Sequence, residues 1–227
     1  MPSFSGMWGN SIATMLIAKA IVIFCCFPVH ECAHAWMAAK LGDHTAERAG
    51  RITLNPLKHL DLWGTLMLIA FGMGYAKPVP VNSYIFRRPK KDFAIVSLAG
   101  PMSNLIMAVA ILLIEHIVYL ASGGAVYGTV LDFIIYCLRS AAYINFGLTV
   151  LNLIPMPPLD GYRVLLALLP DHYSSKLARH EMHLLYVVLG LFLVFSLFRL
   201  SPVSAAAQGM FSSVDNLFYQ MFQNCGG

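Results

Sequence analysis

Charged side chains are scarce in this sequence. Only 11% of its 227 residues are charged and 58% are hydrophobic, whereas about a quarter of the residues in a soluble domain are charged. The mean hydropathy of +0.68 agrees with this composition. So few charges exclude a soluble globular protein and indicate a membrane protein. No polar stretch is long enough for a second, soluble domain, so residues 1–227 are predicted to form a single transmembrane domain.

Several features that would define other function classes are missing. No basic cluster interleaved with aromatic residues is present, which excludes a nucleic-acid partner. The five cysteines form no C-x-x-C pair, and their odd number argues against a disulfide framework. The amino-terminal segment has neither a basic beginning nor an A-x-A-like cleavage site, so we interpret it as a retained span and not as a signal peptide.

Long apolar runs, by contrast, are frequent. A helix needs about 20 apolar residues to cross about 30 Å of hydrocarbon, and four segments are candidates: 11–39, 93–121, 126–154 and the shorter 183–198. The run at 62–74 contains about 13 residues with three glycines, which is too short to span, and we predict that it is re-entrant. The predicted fold class is therefore an all-α polytopic bundle of four to five transmembrane helices in the lipid bilayer.

Basic residues are unevenly distributed around these runs. One group follows the first span, at 40–58, and another precedes the second, at 87–91. A re-entrant 62–74 places both groups on one side, which the positive-inside rule assigns to the cytoplasmic face of the cell membrane. The tail at 203–222 carries regularly spaced apolar residues and is predicted to be an amphipathic interfacial helix, with a fifth span as the alternative.

Two histidines and a glutamate interrupt the first apolar run in the stretch VHECAHAW, residues 29–36. His30 and His34 are four residues apart, so on a helix both imidazoles leave the same face about one turn apart, and Glu31 flanks them. This H-E-x-x-H spacing is typical of zinc hydrolases. A buried glutamate in lipid costs several kcal/mol unless it is paired or metal-bound, which favours a functional role for the motif.

A catalytic zinc ion needs a third protein ligand, and Asp160 has a matching depth at the cytoplasmic end of the third span. Its setting, NLIPMPPLDGYRV, contains three prolines that break the helix and a glycine that permits a tight turn. Broken backbone at membrane depth is tolerated where it lines a cavity or is buried in protein. We therefore predict His30, His34 and Asp160 as ligands of one zinc ion per chain, with a helix cap as the alternative role of Asp160.

Three motifs occur in the same order as in the site-2 protease family of intramembrane zinc metalloproteases, which this chain resembles: HECAH at 30–34, AGPMSN at 99–104 and NLIPMPPLDG at 152–161, with KPVPVN at 77–82. The resemblance covers most of residues 28–165. It implies that His30, His34 and Asp160 bind zinc, that Glu31 is the catalytic base and that Asn152 assists the site. The chain is expected to be a minimal member without a PDZ or CBS module.

The resemblance implies a zinc endopeptidase whose substrates are membrane proteins with transmembrane helices. A substrate must be presented as extended chain, and we predict a small membrane-associated β-hairpin of segments 51–54 and 78–82 whose edge is free to pair with it. A structural loop is the alternative for this segment. A transporter or metal-handling protein with an intramembrane His/Asp cation site is the alternative function, but such a protein has no need of Glu31.

The roles of four further polar residues stay open: Asn104, His59, His180 and His183. For His59 and the nearby Asp61 we favour capping of the short helix that follows over contact with the metal site. For His180 and His183, which are three residues apart, we favour solvation at the membrane interface over a second metal site.

Overall fold

The computed structural model describes residues 16–17, 20–71, 76–123, 130–197 and 202–224, and helices dominate these ranges. A π-helical turn, Val22–Cys26, leads directly into the first α-helix. We label the helices in chain order as α1 Phe27–Lys40, α2 Thr45–Arg48, α3 Leu62–Phe71, α4 Pro89–Ala121, α5 Val130–Leu153, α6 Asp160–Leu168, α7 Asp171–Arg179, α8 Glu181–Leu197 and α9 Pro202–Asn224.

Three of the described helices are long and apolar enough to cross a membrane: Val22–Lys40, Pro89–Ala121 and Val130–Leu153. They agree with the first three predicted spans, of which residues 11–15, 18–19 and 126–129 lie outside the described part of the chain. The predicted fourth span corresponds to α8, whose 17 residues rise about 26 Å, short of the hydrocarbon thickness of about 30 Å. The fourth span and the possible fifth one are not confirmed.

Local sequence explains where α4 and α6 begin. Pro89 occupies the first turn of α4, where its missing N–H costs no hydrogen bond, and the Asp92 carboxylate accepts from the backbone N–H of Arg88 at 3.0 Å. Leu159, just before α6, has an extended backbone, and Asp160 supplies a negative charge in the first turn, which the helix dipole favours. The proline-rich loop therefore ends with an acid at a fixed position.

The main apolar core lies between α4, α5 and α9. Small residues at the contact allow the helices to approach closely. The buried residues of this core are Ala108, Leu112, Ala142, Phe146, Ala207, Phe211 and Phe218. The predicted amphipathic tail thus forms a helix whose apolar face packs on two spans. α1 packs on α4 through Ala38 and Val96, and this second contact positions the polar residues of α1.

The predicted β-hairpin at 51–54 and 78–82 is not confirmed, because the described part of the chain contains no β-strand. Pro78 and Pro80 lack the N–H groups that a ladder of strand hydrogen bonds needs. The buried guanidinium of Arg51 connects the two segments instead. It donates to three backbone carbonyls, those of Lys58, Lys77 and Pro78.

α3 is a short helix between two loop residues that pair with each other. Its 10 residues rise about 15 Å, about half of the hydrocarbon thickness. Leu60, before α3, and Ala76, after it, form an antiparallel β-bridge. This bridge brings the two ends of the segment next to each other. The re-entrant prediction for 62–74, of which 72–74 lie outside the described residues, stays a prediction.

Candidate metal centre

His30 and His34 lie on consecutive turns of α1, and their side chains point to the same place. Their Nε2 atoms are 3.1 Å apart, and each residue is only 8% exposed. The two rings meet edge to face with centroids 4.7 Å apart. The helix thus presents two imidazole nitrogens side by side, as the spacing of the motif predicts.

Asp160 joins the two histidines from the first turn of α6. Its Oδ2 atom lies 3.1 Å from Nε2 of His30 and 3.3 Å from Nε2 of His34. The chain folds back tightly at this point, because a Cβ on Gly161 would lie 2.4 Å from the backbone oxygen of Leu153. The glycine after Asp160 therefore lets α6 start against the end of α5, which brings the carboxylate to the histidines.

These three atoms are arranged as metal ligands are. They lie within 4.8 Å of one another, and their separations are 3.1, 3.1 and 3.3 Å. Ligand atoms at about 2.0–2.1 Å from a tetrahedral zinc ion are about 3.3 Å apart. Two imidazoles and one carboxylate are a donor set that catalytic zinc sites use. The residues therefore fit a zinc ion.

Electrostatics keep Asp160 in the form that binds a metal. Burial raises the pKa of its carboxyl group, but the contacts with His30 and His34 outweigh burial and hold this pKa below its ordinary value. Metal ligands must be deprotonated. The lowered pKa favours the carboxylate form of Asp160, which is the form that binds a cation.

α4 packs against both imidazoles. His34 donates from Nδ1 to the backbone oxygen of Val96 at 2.7 Å, and the amide of Asn104 lies 3.1 Å from Nδ1 of His30. Gly100 lies between these two positions, and a Cβ on it would be 2.4 Å from Nε2 of His34 and 2.6 Å from Nε2 of His30. Sequence reasoning missed the parts played by Val96 and Gly100. The AGPMSN motif was the signal for this segment.

Glu31 and Asn152, the residues predicted to be catalytic, do not join the ligand cluster. Glu31 is half-buried beside His30 on α1, and its carboxylate has no hydrogen bond or ion pair within the described residues. Asn152, near the end of α5, donates to the backbone oxygen of Leu148 at 3.0 Å. Glu31 is therefore available to bind water, whereas Asn152 bonds within its own helix. Their catalytic roles stay predictions.

The other histidines singled out in the sequence lie elsewhere. His59 is buried, and its Nε2 atom donates to the backbone oxygen of Thr53 at 2.8 Å, so it supports the loop before α3 and does not cap that helix. Asp61 caps it instead, because its Oδ1 atom accepts from the backbone N–H of Gly64 at 2.9 Å. His180 and His183 are exposed, with ring centroids 6.1 Å apart. Among the described residues, no third ligand completes a metal site with them.

A second buried group of charged residues connects α4, α5 and α9. Arg139 of α5 lies between Glu115 of α4 and Asp215 of α9, at 3.3 Å and 2.7 Å from their carboxylates. His116 Nδ1 is 2.9 Å from Glu115 and also 2.9 Å from the oxygen of Leu112. Because a guanidinium already lies against both carboxylates, this group is an ion-pair network and not a second metal centre.

Comparisons with known proteins point to one family. The family model described as Peptidase family M50 matches residues 115–197, which include Asn152 and Asp160. The Bacillus subtilis protein named "Putative zinc metalloprotease YwhC" is 39% identical over 209 residues, 89% of this chain and 91% of its own length. No solved structure matches the chain.

Two mycobacterial proteins named Rip2 carry the same description as YwhC. The one from Mycolicibacterium smegmatis is 34% identical over 158 residues, 66% of this chain and 56% of its own length. The one from Mycobacterium tuberculosis is 31% identical over 211 residues, 85% of this chain and 76% of its own length. Since the similarity to YwhC extends along nearly all of both sequences, the chain belongs to peptidase family M50, the site-2 protease family.

Proposed function

We propose that this protein is a zinc-dependent intramembrane endopeptidase that hydrolyses peptide bonds in transmembrane segments of other membrane proteins, with one zinc ion per chain. The observation that carries the proposal is the convergence of His30 Nε2, His34 Nε2 and Asp160 Oδ2. Membership of a peptidase family and the zinc metalloprotease names of its relatives support it. They do not favour a transporter or metal-handling protein, in which Glu31 has no use.

The chemistry divides between the metal and the residues around it. Zinc, when bound, lowers the pKa of a coordinated water toward about 7 and polarises the carbonyl that is attacked. His30, His34 and Asp160 hold the ion. Glu31 takes the proton of the attacking water and returns it to the departing amide nitrogen. Asn152, which precedes the break leading to Asp160, assists through its side-chain amide.

Water reaches this centre through the break between α5 and α6. Pro155, Met156 and Pro158 are exposed in this stretch. Irregular backbone at membrane depth is tolerated where it is buried in protein or lines a water-filled cavity. The exposed prolines next to Asp160 therefore mark the side from which water enters.

The substrates are membrane proteins whose transmembrane helix unwinds before cleavage, because a helix engages its peptide groups in its own hydrogen bonds. The active site faces the cytoplasmic side of the cell membrane. The basic residues that follow α1 and precede α4 support this orientation. The return of the chain at Leu60 and Ala76, which keeps both basic groups on one side, supports it as well.

The test combines zinc content and cleavage in the same preparations. Wild type, Asp160→Ala and Glu31→Gln are reconstituted in vesicles with a panel of single-span reporter proteins. We expect about one zinc ion per wild-type chain and loss of zinc in Asp160→Ala, because a three-ligand site loses one donor. Glu31→Gln retains zinc but cleaves more slowly by about 10²–10⁴-fold, the usual contribution of a general base.

Asp171→Ala is the matched control, because Asp171 is an exposed aspartate at the first position of α7 and only its Lys90 ion pair is lost. It is expected to keep both zinc and cleavage. Wild-type protein that holds no zinc and cannot be reloaded would overturn the proposal. A Glu31→Gln variant that cleaves at the wild-type rate would remove Glu31 from the mechanism.

A further inference from the structure

Asn104 is a fully buried polar side chain in contact with His30. Its exposure is 0%, and its amide group lies 3.1 Å from the Nδ1 atom of His30. Its Oδ1 atom is buried without a hydrogen-bond partner. A buried acceptor without a donor is costly, so the orientation and the purpose of this amide need an explanation.

The tautomer of His30 supplies the explanation. The Nε2 atom of His30 faces His34 and Asp160, so Nε2 is the nitrogen that a metal would use. A neutral imidazole that binds a metal through Nε2 carries its proton on Nδ1, and that proton needs an acceptor. The oxygen and nitrogen of a side-chain amide have nearly the same shape, and a half-turn of the group exchanges them. Turned in this way, Asn104 directs Oδ1 at the Nδ1 proton.

We propose, on the basis of the proposed zinc function, that Asn104 is a positioning residue that accepts the Nδ1 proton of His30 and thereby holds Nε2 in the state that binds the metal. It touches neither the metal nor the substrate and acts through His30. The half-turn gives Oδ1 a donor and moves Nδ2 to the position that Oδ1 had, so the preference for the turned amide comes from the Nδ1 proton of His30, which needs an acceptor.

α4 provides an equivalent partner for His34. The Val96 oxygen accepts from Nδ1 of His34 at 2.7 Å, and Val96, Gly100 and Asn104 follow one another at intervals of four residues on one face of the helix. The helix thus holds the outer nitrogen of each histidine, with a glycine where the two rings approach it. The partner of His34 is backbone, whereas the partner of His30 is a side chain that substitution removes.

The experiment compares Asn104→Leu with Asn104→Asp. Zinc dissociation constants are measured in detergent by competition with a chromophoric chelator, and the absorption bands of the Co²⁺-loaded proteins are recorded. Leucine fills the space without an acceptor, so we expect zinc affinity to fall by about 10–100-fold, the usual effect of losing such an outer partner. Aspartate offers a carboxylate oxygen to the same proton, so we expect affinity close to wild type and a tetrahedral Co²⁺ spectrum.

Asn145→Leu is the matched control. Asn145 is an equally buried asparagine on α5, bonded to the Ala141 oxygen and to Cys26 Sγ, and its replacement is expected to leave zinc affinity unchanged. If Asn104 had only a structural role, Asn104→Asp would lose zinc affinity as Asn104→Leu does, and that result would overturn the proposal. Wild-type affinity in Asn104→Leu would overturn it too. Wild-type protein without zinc contradicts the proposed function itself, so the two failures are distinguishable.

Discussion

At the scale of single residues, Gly100 determines how closely α4 approaches the histidines. Its missing side chain leaves room for Nε2 of both His30 and His34, since a Cβ would come within 2.6 Å of the first and 2.4 Å of the second. Neither ring is the end of a flexible side chain that moves aside cheaply, because each is also held at Nδ1. Any side chain at this position must therefore displace a ligand or separate α1 from α4.

Gly100→Ala is expected to weaken zinc binding by at least about 10-fold, since displacing the ligands costs no less than losing an outer partner. The measurement is zinc affinity by chelator competition. Gly147→Ala is the matched control, because a Cβ on Gly147, also within a span, meets only the Ala207 Cβ at 3.9 Å. Equal affinity in Gly100→Ala and wild type would show that α4 does not pack on the histidines as described.

The sequence was sufficient to predict which ligand residues come together, because their signals are local. Two histidines four residues apart share a helix face, and the proline-rich break before Asp160 marks a change of direction. The structure brings these three together, and their binding of zinc stays a prediction. The role of Asn104 was not predictable, since it depends on which face of α4 packs on α1. A span that is apolar all round carries no periodicity that identifies that face.

At the scale of elements, α9 is held to the spans by both apolar and ionic contacts. Phe211 and Phe218 are buried in the core, and Asp215, which lies between them in sequence, pairs with Arg139 of α5. Arg139 also pairs with Glu115 of α4, which is only 2% exposed. A single guanidinium therefore connects three helices, and its removal leaves the Glu115 and Asp215 carboxylates with only the His116 ring beside them.

Arg139→Gln is expected to lower the free energy of unfolding by about 3–5 kcal/mol, the cost of breaking a buried ion pair. The measurement is denaturant unfolding in detergent. Lys90→Gln is the matched control, because Lys90 pairs with Asp171 at an exposed site and such pairs contribute little. The same change in both variants would contradict the claim that the Arg139 network fastens α9 to the bundle.

Amphipathic spacing correctly predicted a helix for the tail, but not the surface on which it packs. The β-hairpin prediction was not confirmed, and the reason is physical. Pro78 and Pro80 lack the backbone N–H groups that strand pairing needs, and the Arg51 side chain connects the two segments instead. Hydrogen bonds from a side chain to backbone groups far away in the sequence produce no periodic pattern of residues from which they could be predicted. The role of this loop in lining a substrate path stays a prediction.

At the scale of the whole molecule, contacts between the loops near the metal centre hold these loops together at one end of the bundle. Asp43, after α1, accepts from the backbone N–H of Asn82 at 2.6 Å. Lys90, in the first turn of α4, donates to Ser174 of α7 at 2.8 Å. The end of α1, the start of α4 and the α6–α7 region therefore share one end of the bundle, and most of the basic residues lie there.

Single cysteines at Arg48 and Lys91, in a background without the five native cysteines, test this arrangement. We expect a membrane-impermeant thiol reagent to label Arg48→Cys and Lys91→Cys from the cytoplasmic side only, because the re-entrant prediction for 62–74 keeps both positions on one side and basic loops are retained inside. Ala121→Cys, at the other end of α4 from Lys91, is the control and should react from outside. Labelling of positions 48 and 91 from opposite sides would refute the re-entrant arrangement.

The separation of the ligands along the chain has a consequence for biosynthesis. His30 and His34 enter the membrane with the first span, whereas Asp160 is synthesised only after the third. A nascent chain that has not reached residue 160 carries two imidazoles and a glutamate but lacks the third donor. On the proposed zinc function, hydrolytic competence is therefore expected only after the third span has been made, and chains that end before residue 160 are expected to be inert toward neighbouring membrane proteins.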